Sequence, residues 1–174
     1  RVLCAVCFVG GRTGGRVLWD DGGRPFIAAD LVAQAEHDPD ALVLLVTQSR
    51  KWARSVSRSV AALAQRNAVA QQSLRKHGAV LLATSSAQAI AWTNLIAAEH
   101  LTTTRDRLPG IDSAGSIFLG DYSAQAAGDY GSGPNHVLPT GGIARFRGGP
   151  RGTDFPKILT LQEISRPGGA KRVG

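Results

Sequence analysis

The sequence has no apolar run that could cross a bilayer: runs such as residues 41–46 and 79–83 fall far short of the roughly 20 residues a spanning helix requires. It has no small-residue cleavage pattern after its apolar start, so no secretion signal is read and the expected location is the cytoplasm. Cysteine is nearly absent. Cys4 and Cys7 form one Cys-x-x-Cys, and neither a second pair nor two suitably spaced histidines follows nearby to complete a structural zinc site. A redox pair would open a helix, whereas Gly10, Gly11, Gly14 and Gly15 come next, so the two thiols are read as buried in a strand. Acidic residues are outnumbered 13 to 20 by lysine and arginine, giving a formal charge of +7 and raising the question of nucleic acid. Arg50, Lys51, Arg54 and Arg58 stand at helical spacing, and Lys171 and Arg172 lie in a basic tail, but no nucleic-acid motif accompanies them. They are read as solvated surface, with neither nucleic acid nor membrane expected as a partner. No fixed-period repeat and no low-complexity linker interrupts the chain.

What is present is an alternation of helical and strand patterns. Apolar residues make up 43% and charged residues 19%, a balance that supports a packed domain and excludes wholesale disorder. Pro25 suits a helix start, and residues 26–37 carry apolar positions at helical intervals until Asp38-Pro39 stops them. Residues 42–47 form an apolar run typical of a buried parallel strand. One long amphipathic helix is expected over residues 51–76, ended by Gly78, followed by a second buried strand over 79–84. Ser85-Ser86 caps a helix to about residue 97, and residues 117–119 make another short strand. The expected fold is therefore α/β: a Rossmann-like, doubly wound, mostly parallel sheet with helices on both faces. Ligands of such sheets sit beyond the carboxyl ends of the strands, which directs attention to the segment after Leu119 and to the neighbourhood of Glu99.

Three segments carry chemistry. In Gln34-Ala35-Glu36-His37-Asp38, Gln34 and His37 lie three apart and share a helix face, while Glu36 and Asp38 point elsewhere, toward capping or solvent. An amide oxygen and an imidazole nitrogen at that spacing can ligate a metal, yet a histidine at a helix end needs no such role. Ala98-Glu99-His100-Leu101 puts a carboxylate beside an imidazole, two bases of different strength for moving two protons. A helix-terminal histidine beside a solvated glutamate reads equally well from the dipeptide alone. The third segment runs from Gly120-Asp121-Tyr122 through Gly128-Asp129-Tyr130 and Gly133-Pro134-Asn135-His136-Val137-Leu138-Pro139-Thr140 to Gly141-Gly142. Its glycines let backbone approach a ligand closely, and Asp129 and His136 are metal-competent donors, although turns alone also use such residues.

Taken together, these segments resemble histidinol dehydrogenase. The resemblance rests on Ala29-Asp30-Leu31 through Gln34-Ala35-Glu36-His37-Asp38-Pro39-Asp40, on Ala98-Glu99-His100-Leu101, on Gly115-Ser116-Ile117-Phe118-Leu119-Gly120-Asp121, and most specifically on residues 128–140. It covers about residues 26–165 in order. It implies a zinc- and NAD-dependent oxidation of L-histidinol through bound L-histidinal to L-histidine, the last steps of histidine synthesis, by a homodimeric enzyme. By resemblance Gln34, His37 and Asp129 are zinc ligands, and the metal orients the substrate instead of generating hydroxide. His100 takes the alcohol proton, Glu99 activates water for attack on the aldehyde, and His136 lines the substrate pocket. Gln34, His37, His100, Asp129 and His136 would all contact substrate. No residue is assigned to NAD.

Two departures from the family pattern shape the expectations. The Ala-Gly-Pro-Ser-Glu run that the family carries before this region is replaced by Gly10-Gly11-Arg12-Thr13-Gly14-Gly15-Arg16. Residues 1–25 are accordingly expected to be a divergent, truncated or frame-shifted segment, residues 26–165 the α/β domain, and residues 166–174 a basic tail. The family also continues into a helical tail that gives the neighbouring subunit a histidine, the fourth zinc ligand, and a substrate-binding glutamate. Here the chain reads Arg166-Pro167-Gly168-Gly169 and has no histidine beyond it. The chain is expected to be a fragment with weakened zinc affinity, and the alternative to an enzyme is a catalytically silent piece that still binds zinc or an imidazole-bearing ligand.

Overall fold

Five short strands rich in aliphatic and β-branched residues pair in parallel into a single sheet of order β3-β2-β1-β4-β5. They are β1 (Cys4–Val9), β2 (Leu42–Thr47), β3 (Gly78–Leu82), β4 (His100–Thr103) and β5 (Ser116–Leu119). Among the described residues four α-helices accompany them: α1 (Arg24–Ala35), α2 (Arg50–Leu63), α3 (Ala68–His77) and α4 (Ser86–Ile96). The structure, a computed structural model, describes residues 4–9, 24–120, 123–125 and 137–150. The sheet reverses its order between β1 and β4, as doubly wound sheets do.

The alternation of β2 divides the core in two. Val43 and Leu45 face one side, packed with Ile27, Leu31, Val56, Val60 and Ala70 of α1, α2 and α3. Leu44 and Val46 face the other, packed with Ala89 of α4 and with Leu101 of β4. A strand buried on both faces needs apolar residues at every position, which is why residues 42–47 read as an unbroken apolar run. The expected α/β architecture with helices on both faces is thus the observed one.

Three expectations are corrected. The long helix over residues 51–76 is two helices. A 3-10 turn at Ala64–Arg66 leads to Asn67, whose backbone is extended (φ −128°, ψ 106°) and whose side chain accepts from the Ala70 amide at 2.9 Å as a fresh N-cap. Gln71 Nε2 donates to the carbonyls of Ala64 and Gln65 at 3.2 and 3.0 Å, satisfying acceptors the break exposes. No proline or glycine marks this join, so periodicity alone runs through it.

The second apolar strand is also not buried. β3 pairs with β2 alone, as the edge of the sheet, and Gly78, Ala79 and Val80 are exposed. Gly78 does end the helix as expected, because a Cβ there would lie 2.5 Å from the Leu74 carbonyl oxygen, so only glycine lets β3 begin directly at the helix terminus. Third, Glu99 and His100 do not lie at a helix end. α4 stops at Ile96, Ala97 turns the chain in the left-handed region (φ 50°), and His100 is the first residue of β4, a strand the sequence reading missed.

Arg50, Lys51, Arg54 and Arg58 are all exposed on α2. No described helix is long and apolar enough to cross a membrane.

Candidate functional site

α1 and β4 bring the first two chemical segments together. On α1, at 3.6 residues per turn, Ile27, Ala28, Leu31 and Ala35 form the buried stripe, Asp30 and Gln34 lie one turn apart along its margin, and His37 sits in the turn that follows the helix. On β4, successive residues alternate between faces. Leu101 points into the α4 side, so His100 and Thr102 point toward α1. The contact between them is direct: the Thr102 hydroxyl lies 3.4 Å from Asp30 Oδ2.

From that contact the positions of Gln34 and His100 follow. α1 returns between two parallel strands and so runs against them. Gln34 lies one turn beyond Asp30, about 6 Å along α1, and His100 lies two residues before Thr102, about 7 Å along β4 in the same direction. The Gln34 amide and the His100 ring therefore occupy the same level, at the amino end of β4. Both are buried, Gln34 at 5% and His100 at 7% exposure, and the His100 ring stacks on Phe118 of β5 with centroids 5.9 Å apart. Glu99, 6% exposed, immediately precedes. The Gln34 side chain makes no hydrogen bond to another described residue, while His37, just past the helix, is exposed.

Glu36 and Asp38 do point elsewhere. Glu36 accepts from Asn67 Nδ2 at 3.0 Å, and Asp38 accepts from the Asp40 amide at 2.8 Å within a turn. Because β4 begins at His100, the pair Glu99-His100 sits at the amino end of its strand, not beyond a carboxyl end as the general rule for these sheets had suggested.

The third segment is tied to this place at both its ends. After β5, Ser123 Oγ donates to the Leu119 carbonyl at 2.7 Å, and the chain turns back across the α1 face. Gln125, fully buried, donates through Nε2 to Thr102 Oγ1 at 2.8 Å and through its amide to Asp30 Oδ1 at 3.4 Å. At the other end Pro139 packs on the Gly115–Glu99 backbone: a Cβ on Gly115 would lie 3.2 Å from Pro139 Cδ. Asp129 and His136 fall outside the described residues.

Sequence reasoning missed Asp30, Thr102, Gln125 and Gly115. Asp30 carried a signal, being four residues before Gln34 on the same stripe. Thr102 and Gln125 carried none, since their roles depend on how the loop after β5 folds back.

Burial raises the Asp30 pKa above the ordinary carboxylate value of 3.8, opposed by the hydrogen bonds from the Gln125 amide and the Thr102 hydroxyl. A carboxyl whose folded pKa exceeds its unfolded value binds its proton more tightly when folded, so stability falls as pH rises from 3.8 through the raised value. Asp30→Asn removes that slope. In melting curves taken from pH 3.5 to 7, the parent's advantage over Asp30→Asn is expected to shrink as pH rises; an advantage that grows with pH would contradict the sign of the shift.

Among the described residues no three histidine, cysteine, aspartate or glutamate side chains converge as a metal cage. Gln34 and His37, three residues apart at the end of α1, nevertheless offer an amide oxygen and an imidazole nitrogen, and such N/O donors suit a borderline divalent cation. A cavity of about 290 Å³ lined by Leu31, Val43, Val56, Val60, Leu74 and Val80 lies elsewhere, under the β3 edge. It is mostly apolar, with Ser57 its one polar side chain, and contains none of these groups.

Comparison with known proteins gives one result throughout. A family model described as histidinol dehydrogenase matches residues 6–173. The chain is 45% identical over 161 residues to the histidinol dehydrogenase of Geobacter metallireducens, covering 87% of this chain and 37% of that protein. It is 42% identical over 160 residues to that of Methanothermobacter thermautotrophicus, covering 87% and 38%. The crystal structure of histidinol dehydrogenase from Elizabethkingia anophelis superposes with a TM-score of 0.77 at 32% identity, covering 97% of this chain and 38% of that one. The chain thus spans less than two fifths of the length of these relatives.

Proposed function

Because the chain belongs to the histidinol dehydrogenase family, we propose that it supplies the acid–base and substrate-orienting part of an NAD-dependent oxidoreductase that converts L-histidinol through L-histidinal to L-histidine. The observation that carries this reading is the buried Glu99-His100 pair, held at the same end of the fold as Gln34 and His37. A carboxylate and an imidazole side by side provide the two bases that a two-step alcohol oxidation consumes.

In the first step His100 accepts the hydroxyl proton as hydride leaves the carbinol carbon. In the second Glu99 removes a proton from water as its oxygen bonds to the aldehyde carbon, and the resulting hydrate loses the second hydride and a proton to give the carboxylate. Both residues are shielded from solvent, which holds them in place and keeps stray water from the aldehyde. Gln34, His37 and Asp129 would hold zinc, which when bound supplies a positive template for the substrate's imidazole and amino nitrogens. NAD, when bound, would supply the hydride acceptor for each step. His136 lines the substrate pocket, and the working assembly is the homodimer of the full-length enzyme, a soluble protein of the cytoplasm in histidine synthesis.

The test is calorimetry with zinc and then L-histidinol on the purified chain, His37→Ala and Asp129→Asn. The expected result is binding by the parent, weakened tenfold or more by each substitution. No binding by any variant would reject this reading for the chain and leave it a catalytically silent piece of the family fold.

A further inference from the structure

The three chemical segments meet in one buried hydrogen-bonded knot that contains none of the proposed catalytic or metal-binding residues. Asp30 comes from α1, one turn before Gln34. Thr102 comes from β4, two residues after His100 and on the same face. Gln125 comes from the loop after β5, four residues before Asp129. Thr102 Oγ1 receives a hydrogen bond from Gln125 Nε2 at 2.8 Å and has its own proton free for Asp30 Oδ2 at 3.4 Å. The Gln125 amide closes the ring on Asp30 Oδ1 at 3.4 Å. Each member thus touches the other two.

We propose that Asp30, Thr102 and Gln125 are positioning residues that set the mutual placement of Gln34 and His100 and fasten the start of the loop after β5 to them. The inference rests on the functional reading above for the roles of those groups, but the knot is a feature of the fold and can be tested apart from it. Three arguments support it. Thr102 is 4% exposed and Gln125 fully buried, so the bond between them forms away from competing water, while the two bonds to half-buried Asp30 are partly shielded. Gln125 ties the start of the loop to α1 and β4 by hydrogen bonds, through a side chain buried with its Oε1 free of any hydrogen bond to a described residue. Burying an amide with one group unsatisfied costs stability, and an apolar residue would fill the same space without that cost. Finally, Gln34 lies one helical turn from Asp30 and His100 two residues from Thr102, so the Asp30–Thr102 contact fixes the register of one segment against the other. Partners that orient ligating and reacting side chains in this way typically govern affinity by 10- to 100-fold.

Thr102→Val removes the hydroxyl and keeps the shape, whereas Thr102→Ser keeps the hydroxyl and serves as the rescue. Two measurements are made on the full chain. The first is amide hydrogen exchange with the His100 imidazole resonance. If the knot positions the loop, Thr102→Val speeds exchange in residues 123–136 and shifts the His100 signal, α2, α3 and β2 stay protected, and Thr102→Ser matches the parent. Unchanged exchange, or faster exchange spread evenly over the chain, overturns the proposal and leaves Thr102 an ordinary core residue. The second is zinc and L-histidinol calorimetry, in which Thr102→Val is expected to lose about tenfold in affinity and Thr102→Ser to keep it. If the parent binds but Thr102→Val binds equally well, the proposal fails while the functional reading stands. If the parent binds neither, the functional reading fails, and the exchange experiment alone decides the knot.

Discussion

Gly115→Ala is expected to lower the melting temperature by roughly 3–10 °C, a loss of about 1–3 kcal/mol, and to displace Glu99. The added Cβ would lie 2.6 Å from the Glu99 carbonyl oxygen and 3.2 Å from both Glu99 Cα and Pro139 Cδ. Two of these three atoms are backbone, so no rotamer change relieves the contact. The backbone is not free to yield, either. The Gly115 amide donates to the Ala98 carbonyl and the Ser116 amide to the Glu99 carbonyl, each at 2.8 Å, and these bonds start the β4–β5 ladder. Relief must come from moving either the entry to β4, with Glu99 and His100, or the entry to β5 and the stack of His100 on Phe118. Adding Pro139→Ala removes one of the three contacts and is expected to restore little. The melting curve reads the first effect and the His100 imidazole resonance the second. A Gly115→Ala chain that melts with the parent and leaves that resonance in place would refute the account.

The contrast between Gly115 and Gln34 shows which parts of the site could be read in the sequence. Gln34 and His37 were legible because helical spacing is a local property: residues three apart share a face whatever the helix packs on. β2 was legible for the same reason, since an unbroken apolar run means burial on both faces. β3 has a similar run, and its exposure could not be read, because being an edge depends on the order of strands and not on any one of them. β4 was missed because His100-Leu101-Thr102-Thr103 has one aliphatic residue and three polar ones. Those polar side chains are buried by neighbours from α1, β5 and the following loop, none of them close in sequence. The break at Asn67 shows the converse, a local signal present but overridden, since an asparagine cap is easily lost in an otherwise helical run. The family resemblance supplied roles for Gln34, His37, Glu99 and His100, but it said nothing of the Asp30–Thr102–Gln125 knot, which exists only once three distant segments have folded together.

The largest loss of stability is expected from Leu101→Ala, about 2–5 kcal/mol, which is a sizeable share of the 5–15 kcal/mol that holds a typical domain together. Leu101 is fully buried, flanked in its cluster by Leu44 and Val46 of β2 and by Ala89 and Ala98 around α4. Its neighbours along β4, His100 and Thr102, face the other side, so Leu101 is the only side chain within residues 100–102 that anchors the strand to the α4 layer. β4 is thus held from below by apolar packing and from above by the polar knot. The two attachments differ in kind. Truncating Leu101 leaves a cavity among rigid backbone-borne neighbours, three of its four cluster partners here being too small or too constrained to refill it. Leu95, the penultimate residue of α4 and 66% exposed, provides the comparison: Leu95→Ala is expected to change stability by no more than about 0.5 kcal/mol. Urea unfolding of the two variants beside the parent measures both. A Leu101→Ala chain no less stable than Leu95→Ala would mean that β4 is not held by the α4 layer, and the placement of His100 would then rest on the α1 side alone.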